Sequence, residues 1–397
     1  VMDLGAVCHL AATKGRVPFL HFFDGFRTSH EIRKVETWDY DDLAEMVDQD
    51  ALAGFRQRAL NPDHPVLRGS AQNPDIFFQI REASNLHYDA FADIVAEYMD
   101  KVNEKIGTDY KPFNYYGAPD AEYIIVSMGS SCDAIEEVVD YLCAQGEKVG
   151  LINVHLYRPF SAKYLLSVLP ETVKKIAVLD RTKEPGSIGE PLFLDIVTAL
   201  KGTKFESVPV IGGRYGLGSK DTGPACYVAV FLNLMKEHPQ HPFTIGITDD
   251  VTHLSLPIEK HIDTQPPENK SCKFWGLGSD GTVGANKNSI KIIGDHTDMY
   301  AQGYFFYDSK KSGGITVSHL RFGQKPIQSP YLIDTADFVA CHNASYITRY
   351  DMTGVLREGG TFLLNCQWSP EELEHRLPAK VKNDLANKNI NFYIIDG

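Results

Sequence analysis

A glycine-rich loop in the last third of the sequence has the spacing that binds phosphate groups. It contains Gly276, Gly278 and Gly281, and Thr282 follows directly. Glycines let the backbone approach an anion closely, and free amides at the start of a helix carry partial positive charge. The loop predicts that these four residues contact a phosphate or diphosphate through backbone amides and a hydroxyl. A tight turn with a purely structural role is the alternative.

A second loop nearby carries positive charge. Asp308 closes a predicted strand and precedes the glycine-rich run Ser309–Gly314, which contains Lys310 and Lys311. An acidic residue in this place can hold the ribose of a nicotinamide cofactor. Two lysines suit an additional phosphate, such as that on the ribose of coenzyme A or of NADP. A solvated turn with two exposed lysines is the alternative.

Three other loops have less specific patterns. The stretch Asp24–Glu31 ends in an adjacent histidine and glutamate that can transfer protons, although Ser29 as a helix cap beside an exposed pair is favoured. Lys183–Glu190 is predicted to face a partner domain. Gly212–Lys220 is predicted to pack closely against another domain, with no clear helix after it. No motif of a serine hydrolase, P-loop or metalloprotease occurs, so no catalytic residue is assigned.

Composition excludes several classes of protein. The chain has 39 Lys and Arg against 52 Asp and Glu, which gives a net charge of −13. Nucleic-acid-binding proteins usually carry an excess of positive charge, so this class is excluded. No run of about 18 apolar residues predicts a transmembrane helix. The seven cysteines are scattered without Cys-x-x-Cys spacing. We therefore expect free thiols in a reducing cytoplasm, and neither a metal site nor an iron–sulfur site.

Alternating strands and helices predict an α/β fold. The pattern indicates two consecutive, mainly parallel-sheet α/β domains at 119–255 and 256–397, preceded by a partial α/β domain at 1–49 and a connector at 50–118. The predicted strands are Val17–Phe23, Tyr123–Val126, Val149–Val154, Lys175–Leu179, Val208–Ile211, Cys272–Trp275, Gly303–Tyr307, Ile315–Arg321, Asp337–Cys341, Thr361–Asn365 and Asn391–Ile395. The predicted helices include Tyr88–Ile106, one started by a capping box of Asp133 and Glu136, Ser161–Val168, Pro191–Leu200 and Thr282–Ile293.

The two ends of the sequence suggest a piece of a longer polypeptide. The run that starts at Val1 is typical of the middle of an amphipathic helix, and the chain stops at Gly397 just after a predicted strand. Both cuts would leave backbone groups without partners. We therefore expect an internal fragment.

Four stretches together resemble pyruvate:ferredoxin (flavodoxin) oxidoreductases, in the order that this family has them. The stretch His21–Glu31 resembles the end of the first, pyrimidine-binding domain of the family. Asp180–Pro191 resembles the transketolase-C-like second domain. Gly276–Lys287 and Tyr307–Gly314 resemble the third, gamma-type domain. The resemblance covers essentially the whole chain, with the third domain truncated.

The resemblance implies oxidative decarboxylation of pyruvate to acetyl-CoA. In the family, thiamine diphosphate with magnesium forms the carbanion, and 4Fe–4S clusters pass electrons to ferredoxin or flavodoxin. This chain lacks a Gly-Asp-Gly motif and a cysteine set for a cluster. The fragment alone is therefore expected to be inactive. Its third domain is expected to contribute part of the coenzyme A site, with Lys310 and Lys311 meeting phosphates.

The resemblance also implies partners: the remaining domains of the same polypeptide, an electron carrier, and a second copy in a full-length homodimer. Two alternatives remain open. One is a free-standing nucleotide-binding or scaffolding subunit of a larger complex. The other, less favoured, is an NAD(P)-dependent dehydrogenase.

Overall fold

Helices form most of the N-terminal quarter of the chain. The structure is a computed structural model that describes residues 1–25, 27–308 and 313–397. The elements of this quarter are α1 (Met2–Gly15), α2 (Arg27–His30), β1 (Ile32–Arg33), α3 (Tyr40–Met46), α4 (Gln49–Gln57), α5 (Phe77–Ala83) and α6 (Asn85–Ile106).

The helices α1 and α6 pack against each other and form a small core. Val7 and Leu10 of α1 and Val95 and Tyr98 of α6 are buried in it. α6 ends at Gly107, whose positive φ of 69° allows the left-handed closure of a helix. The helix predicted within the connector is confirmed and begins about one turn earlier. The stretch predicted as a surface connector thus also contributes to this core.

The strand predicted at Val17–Phe23 is not formed. These residues belong to no sheet, and in the described part of the chain no strand pairs with them. A strand is stabilised by hydrogen bonds to a neighbour, so an apolar run alone does not produce one.

A first sheet lies in the middle of the chain, with helices on both faces. Its strands follow the order β2-β4-β3-β5-β6-β7, and all neighbours are parallel except β2 and β4. The elements are β2 (Phe113–Gly117), β3 (Tyr123–Ser127), α7 (Ser131–Cys143), β4 (Val149–Val154), α8 (Ala162–Val168), β5 (Lys175–Asp180), α9 (Pro191–Leu200), β6 (Val210–Arg214), α10 (Pro224–Met235) and β7 (Phe243–Thr244).

Two local predictions in this unit were wrong. Asp133 does not cap α7, because the helix begins earlier and Asp133 lies inside its first turn. A helix, α10, does follow the loop Gly212–Lys220. Its sequence is apolar on all sides and most of its residues are buried, as expected of a helix enclosed by the core. An amphipathic stripe, the usual helical signal, is therefore missing.

A second sheet combines parallel and antiparallel strands in the order β1-β9-β10-β8-β11-β12-β13. The elements are β8 (Lys270–Leu277), α11 (Thr282–His296), β9 (Tyr300–Tyr307), β10 (Ile315–Gly323), β11 (Ala336–Cys341), β12 (Leu356–Asn365), α12 (Pro370–Arg376), α13 (Ala379–Asn387) and β13 (Asn391–Ile395). β8, β11, β12 and β13 are parallel. β9 and β10 pair antiparallel because a short connection cannot make a crossover.

The predicted α/β class with mainly parallel sheets is confirmed. The N-terminal quarter is attached to the second sheet through β1, which pairs with β9. Among the described helices, none is both long enough and apolar enough to cross a membrane.

Candidate functional site

The glycine loop lies at the carboxyl end of β8, where α11 begins. Gly281 is the residue before the helix and has a φ of 87°, and Ser279 has a φ of 75°. β8 and β11–β13 run parallel, so their carboxyl ends form a single edge of the sheet. Ligands of α/β proteins bind outside this edge. The loop predicted from the glycine spacing is therefore placed where a ligand is expected.

Gly276 allows the start of α11 to close over the end of β8. It pairs with Thr316 across the sheet. A Cβ atom at Gly276 would lie 2.7 Å from Oγ1 of Thr282 and 2.9 Å from Oδ2 of Asp280. Both distances are shorter than normal packing allows, so a side chain here would push the helix start away from the strand.

Several amides of the loop are already bound by the protein itself. The carboxylate of Asp280 accepts hydrogen bonds from the backbone amides of Leu277 and Thr282, each at 2.8 Å. The amide of Gly278 donates to the carbonyl of Gly314 at 2.7 Å. Burial opposes ionisation of Asp280, but the hydrogen bonds from Thr282 and Leu277 outweigh it and lower the pKa of its carboxyl. An anion would reach the amides of Gly278 and Thr282 only after these internal bonds open.

Other amides of the same loop remain available. Within the described residues, the backbone amides of Ser279, Gly281 and Val283 donate to no acceptor. They lie at the N-terminus of α11, where the helix dipole favours an anion. Gly281 was predicted to bind phosphate, whereas Ser279 and Val283 were not. The sequence does not reveal which amides the protein itself engages.

The two predicted lysines, Lys310 and Lys311, lie outside the described residues. The chain is described on both sides of them. The amide of Asp308 donates to the carbonyl of Ile315 at 3.1 Å, and Gly314 accepts from Gly278 of the glycine loop. The residues that flank the two lysines, Asp308 and Gly314, therefore lie at the same edge of the sheet as the glycine loop.

Three buried polar side chains near the start of α11 lack partners among the described residues. They are the Nδ2 amide of Asn286 and the hydroxyls of Thr316 and Ser318. Thr316 is opposite Gly276 in the sheet. The sequence analysis missed all three, although Asn286 interrupts the buried stripe of α11 at helical spacing. Such groups normally bind water or a ligand, because a buried donor without a partner is costly.

The carboxyl edge of the first sheet is different, because the protein fills it. Asp24 accepts a hydrogen bond from the amide of Ser130 at 2.6 Å and pairs with Arg181 at 2.6 Å. Nε of Arg181 donates to the carbonyl of Gly216 at 3.0 Å. Asp24 thereby joins three loops that end strands of the first sheet.

The same N-terminal segment also contacts the second sheet. Glu31 accepts hydrogen bonds from Nε2 of Gln302 and from the hydroxyl of Tyr304, both at 3.2 Å. These bonds make Glu31 a structural acceptor, while the preceding histidine is exposed. The prediction that Ser29 caps a helix is wrong, since Ser29 lies inside α2.

Arg27 strengthens the contact with the first sheet. It pairs with Asp221 at 2.6 Å. We call the residues from Asp24 to Glu31 that the structure describes the clamp, because they bind both sheets.

The described residues do not provide a set of ligands for a metal centre. Among them, no group of three His, Cys, Asp or Glu side chains could hold a metal ion. The seven cysteines are free, and six are buried. Burial raises the pKa of the thiol of Cys272 to about 12, far from the thiolate that an iron–sulfur cluster needs.

Three family models match successive parts of the chain. Residues 1–100 match "Pyruvate flavodoxin/ferredoxin oxidoreductase, thiamine diP-bdg". Residues 121–224 match "Pyruvate:ferredoxin oxidoreductase core domain II", and residues 271–397 match "Pyruvate ferredoxin/flavodoxin oxidoreductase". The order of the matches agrees with the order of the resembling stretches.

Curated relatives align with the entire chain. The pyruvate:ferredoxin oxidoreductase of Moorella thermoacetica is 63% identical over 100% of this chain and 34% of the relative. The pyruvate-flavodoxin oxidoreductase of Enterobacter agglomerans is 59% identical over the same shares. A pyruvate dehydrogenase (NADP+) of Cryptosporidium parvum is 49% identical over 100% of this chain and 21% of the relative. The chain thus spans about a third of the first two relatives and about a fifth of the third. Its successive parts match three models of pyruvate:ferredoxin/flavodoxin oxidoreductases.

Proposed function

We propose that this chain is part of an enzyme that oxidatively decarboxylates pyruvate to acetyl-CoA and passes the electrons to ferredoxin or flavodoxin. The observation that carries the proposal is the 63% identity to a pyruvate:ferredoxin oxidoreductase along the whole chain. Thiamine diphosphate, bound with magnesium, supplies the carbanion chemistry of such an enzyme, and iron–sulfur clusters supply the electron path. The other domains of the polypeptide would hold these groups.

The share of this chain in the reaction is to bind coenzyme A. The free amides of Ser279, Gly281 and Val283 suit one phosphate of its diphosphate, at the edge of the second sheet where α/β proteins bind ligands. Gly276 keeps the helix start close to the strand, and Thr282 orders it through Asp280.

The stretch of sequence between β9 and β10 would supply the charge that distinguishes coenzyme A from its analogues. Lys310 and Lys311 would meet the ribose phosphate as point charges. The chain by itself would be inactive, and the full enzyme would work as a cytoplasmic homodimer.

Ligand-dependent thermal unfolding tests the site. Coenzyme A should raise the melting temperature, since a ligand that binds the folded state at 100 times its Kd stabilises by about 2.7 kcal/mol. Coenzyme A without its ribose phosphate should stabilise less, and K310A/K311A should remove that difference. The control variant is K163A, which changes an exposed lysine on α8, a helix of the first sheet.

The alternatives give different results in the same assay. Stabilisation by NADP+ and not by coenzyme A would favour a dehydrogenase. No stabilisation by either would favour a scaffolding subunit and would contradict the coenzyme A site. Restored pyruvate oxidation in a Moorella enzyme that carries this chain in place of its own matching stretch would test the overall activity separately.

A further inference from the structure

His342 extends the carboxyl edge of the second sheet next to the glycine loop. Its backbone amide donates to the carbonyl of Trp275 at 2.9 Å, so the pairing of β11 with β8 continues one residue past the end of β11. In the same ladder, Ala340 is paired with Phe274. Because side chains alternate along a strand, the residues two positions later, His342 and Gly276, lie beside each other on one face of the sheet.

The same face holds the carboxylate of Asp280. A Cβ atom at Gly276 would lie 2.9 Å from Oδ2 of Asp280. The ring of His342 stacks on that of Phe274, with the ring centres 6.4 Å apart and the planes inclined by 11°. The imidazole is therefore covered by an aromatic ring on one side and lies near the carboxylate that orders the glycine loop.

Two polar side chains beside Gly276 have no fixed partner. His342 is exposed, and its ring nitrogens make no hydrogen bond to a described residue, while Nδ2 of Asn365 holds its backbone carbonyl at 3.3 Å. Thr316 is paired with Gly276 from the other side and is only 6% exposed, yet its hydroxyl has no partner among the described residues. A buried hydroxyl without a partner indicates that a polar molecule binds at this place.

Two opposing effects determine the charge of the ring. Partial burial lowers the pKa of His342 below its ordinary value, and the carboxylate of Asp280 acts in the opposite direction without overcoming burial. The ring is therefore mainly neutral at pH 7 in the free protein. Of the titratable groups beside it, the thiol of Cys341 and the phenol of Tyr346 are kept protonated by burial. A phosphate group at this edge would add negative charge, which favours a protonated ring.

We propose that His342 is a further ligand-contacting residue of this edge, where its imidazole takes up a proton from solvent and donates a hydrogen bond to a phosphate held by the amides at the start of α11. Coenzyme A, the ligand of the proposed function on which this inference rests, carries such groups. The proton returns to solvent when the ligand leaves. Binding is thereby coupled to proton uptake, so the affinity falls as the pH rises.

Titration calorimetry in two buffers of different ionisation enthalpy measures the protons that are taken up on binding. Coenzyme A and inorganic pyrophosphate are titrated at pH 7 into the original chain and into H342Q, whose amide keeps a hydrogen-bond donor without a charge. The original chain should take up about half a proton more than H342Q for each ligand bound. Protonation changes of the ligand, and the charges of Lys310 and Lys311, are common to both proteins and cancel in this difference.

The affinity should depend on pH in the same way. The original chain should bind coenzyme A about 10-fold more tightly than H342Q at pH 6 and within about twofold of it at pH 8. H342F, which keeps an aromatic ring on Phe274, should retain the melting temperature and lose the additional proton uptake. The matched control is H296Q, at an exposed histidine at the other end of α11, and it should behave like the original chain.

The outcomes separate the role of His342 from the proposed function. Equal proton uptake by the original chain and H342Q, with coenzyme A bound to both, would overturn the role of His342 and leave the coenzyme A site standing. Binding of pyrophosphate with the additional proton, but no binding of coenzyme A, would support the role of His342 and contradict the coenzyme A site. If neither ligand binds, both are overturned.

Discussion

The two sheets end in carboxyl edges of the same general design, but in the part of the chain that the structure describes the protein fills one edge and leaves backbone amides of the other without acceptors. The edge of the first sheet is occupied by the clamp, whose Asp24 binds the amide of Ser130 and the side chain of Arg181. The edge of the second sheet has a glycine loop with amides that no described residue engages. The position of a loop at the end of a strand is therefore insufficient to identify a site.

The physical difference lies in what satisfies the amides at the strand ends. At the first edge, a carboxylate from a distant part of the chain takes the place that an anion would take, and a guanidinium neutralises it. At the second edge, Asp280 engages two amides locally and leaves the next ones free. The first edge therefore contributes to the stability of the fold, whereas the second edge keeps backbone amides that no described residue engages.

The largest expected effect is at the closed edge. D24A should lower the free energy of unfolding by about 2–3 kcal/mol, because it leaves Arg181 without its charge partner and the amide of Ser130 without its acceptor. Arg181 is partly exposed, which keeps the loss below that of a fully buried pair. Urea unfolding measures the change.

The matched control is D93A, which breaks an exposed pair with Lys163. It should cost less than about 1 kcal/mol. Equal losses in the two variants would show that the clamp does not hold the first edge.

A smaller effect is expected at the open edge. G276A should destabilise the protein by about 1–2 kcal/mol, since the new Cβ would overlap Thr282 and Asp280. It should also remove the thermal stabilisation by coenzyme A. In G284A, a Cβ meets no atom within 4 Å, so this variant should keep ligand binding and be as stable as the original or slightly more so. Loss of binding in both variants would contradict the site.

The smallest effect is a pH dependence beside the closed edge, on α7. Burial and the nearby Asp133 raise the pKa of Glu136 to about 7. Since folding favours its protonated form, this stabilisation is complete below the ordinary carboxyl pKa and is lost as the pH rises through about 7. E136Q should therefore be more stable than the original chain at pH 8, by about 1 kcal/mol, and similar at pH 4.5.

The control for the pH effect is E147Q, at an exposed position between α7 and β4. It should follow the original chain at both pH values. A stability of E136Q below that of the original chain at pH 8 would indicate that the ionised carboxylate is favourable in the folded state.

The sequence alone determined the elements whose signals are local. The strand Val149–Val154 and the helix Pro191–Leu200 have the predicted bounds, because a buried apolar run and a proline at the first helical turn act within a few residues. The glycine loop was placed between a strand and a helix for the same reason. Its glycines meet steric needs that arise inside the loop.

Only the tertiary structure decided what depends on distant partners. The apolar run Val17–Phe23 did not become a strand, because a strand requires a neighbour, and α10 carries no stripe because it is enclosed on all sides. The closing of one edge by Asp24 and the free amides of the other likewise depend on residues far apart in the chain. Hydrogen-bond partners are determined by the three-dimensional fold. No local sequence pattern therefore shows that the amides of the first edge are engaged and that some amides of the second edge are free.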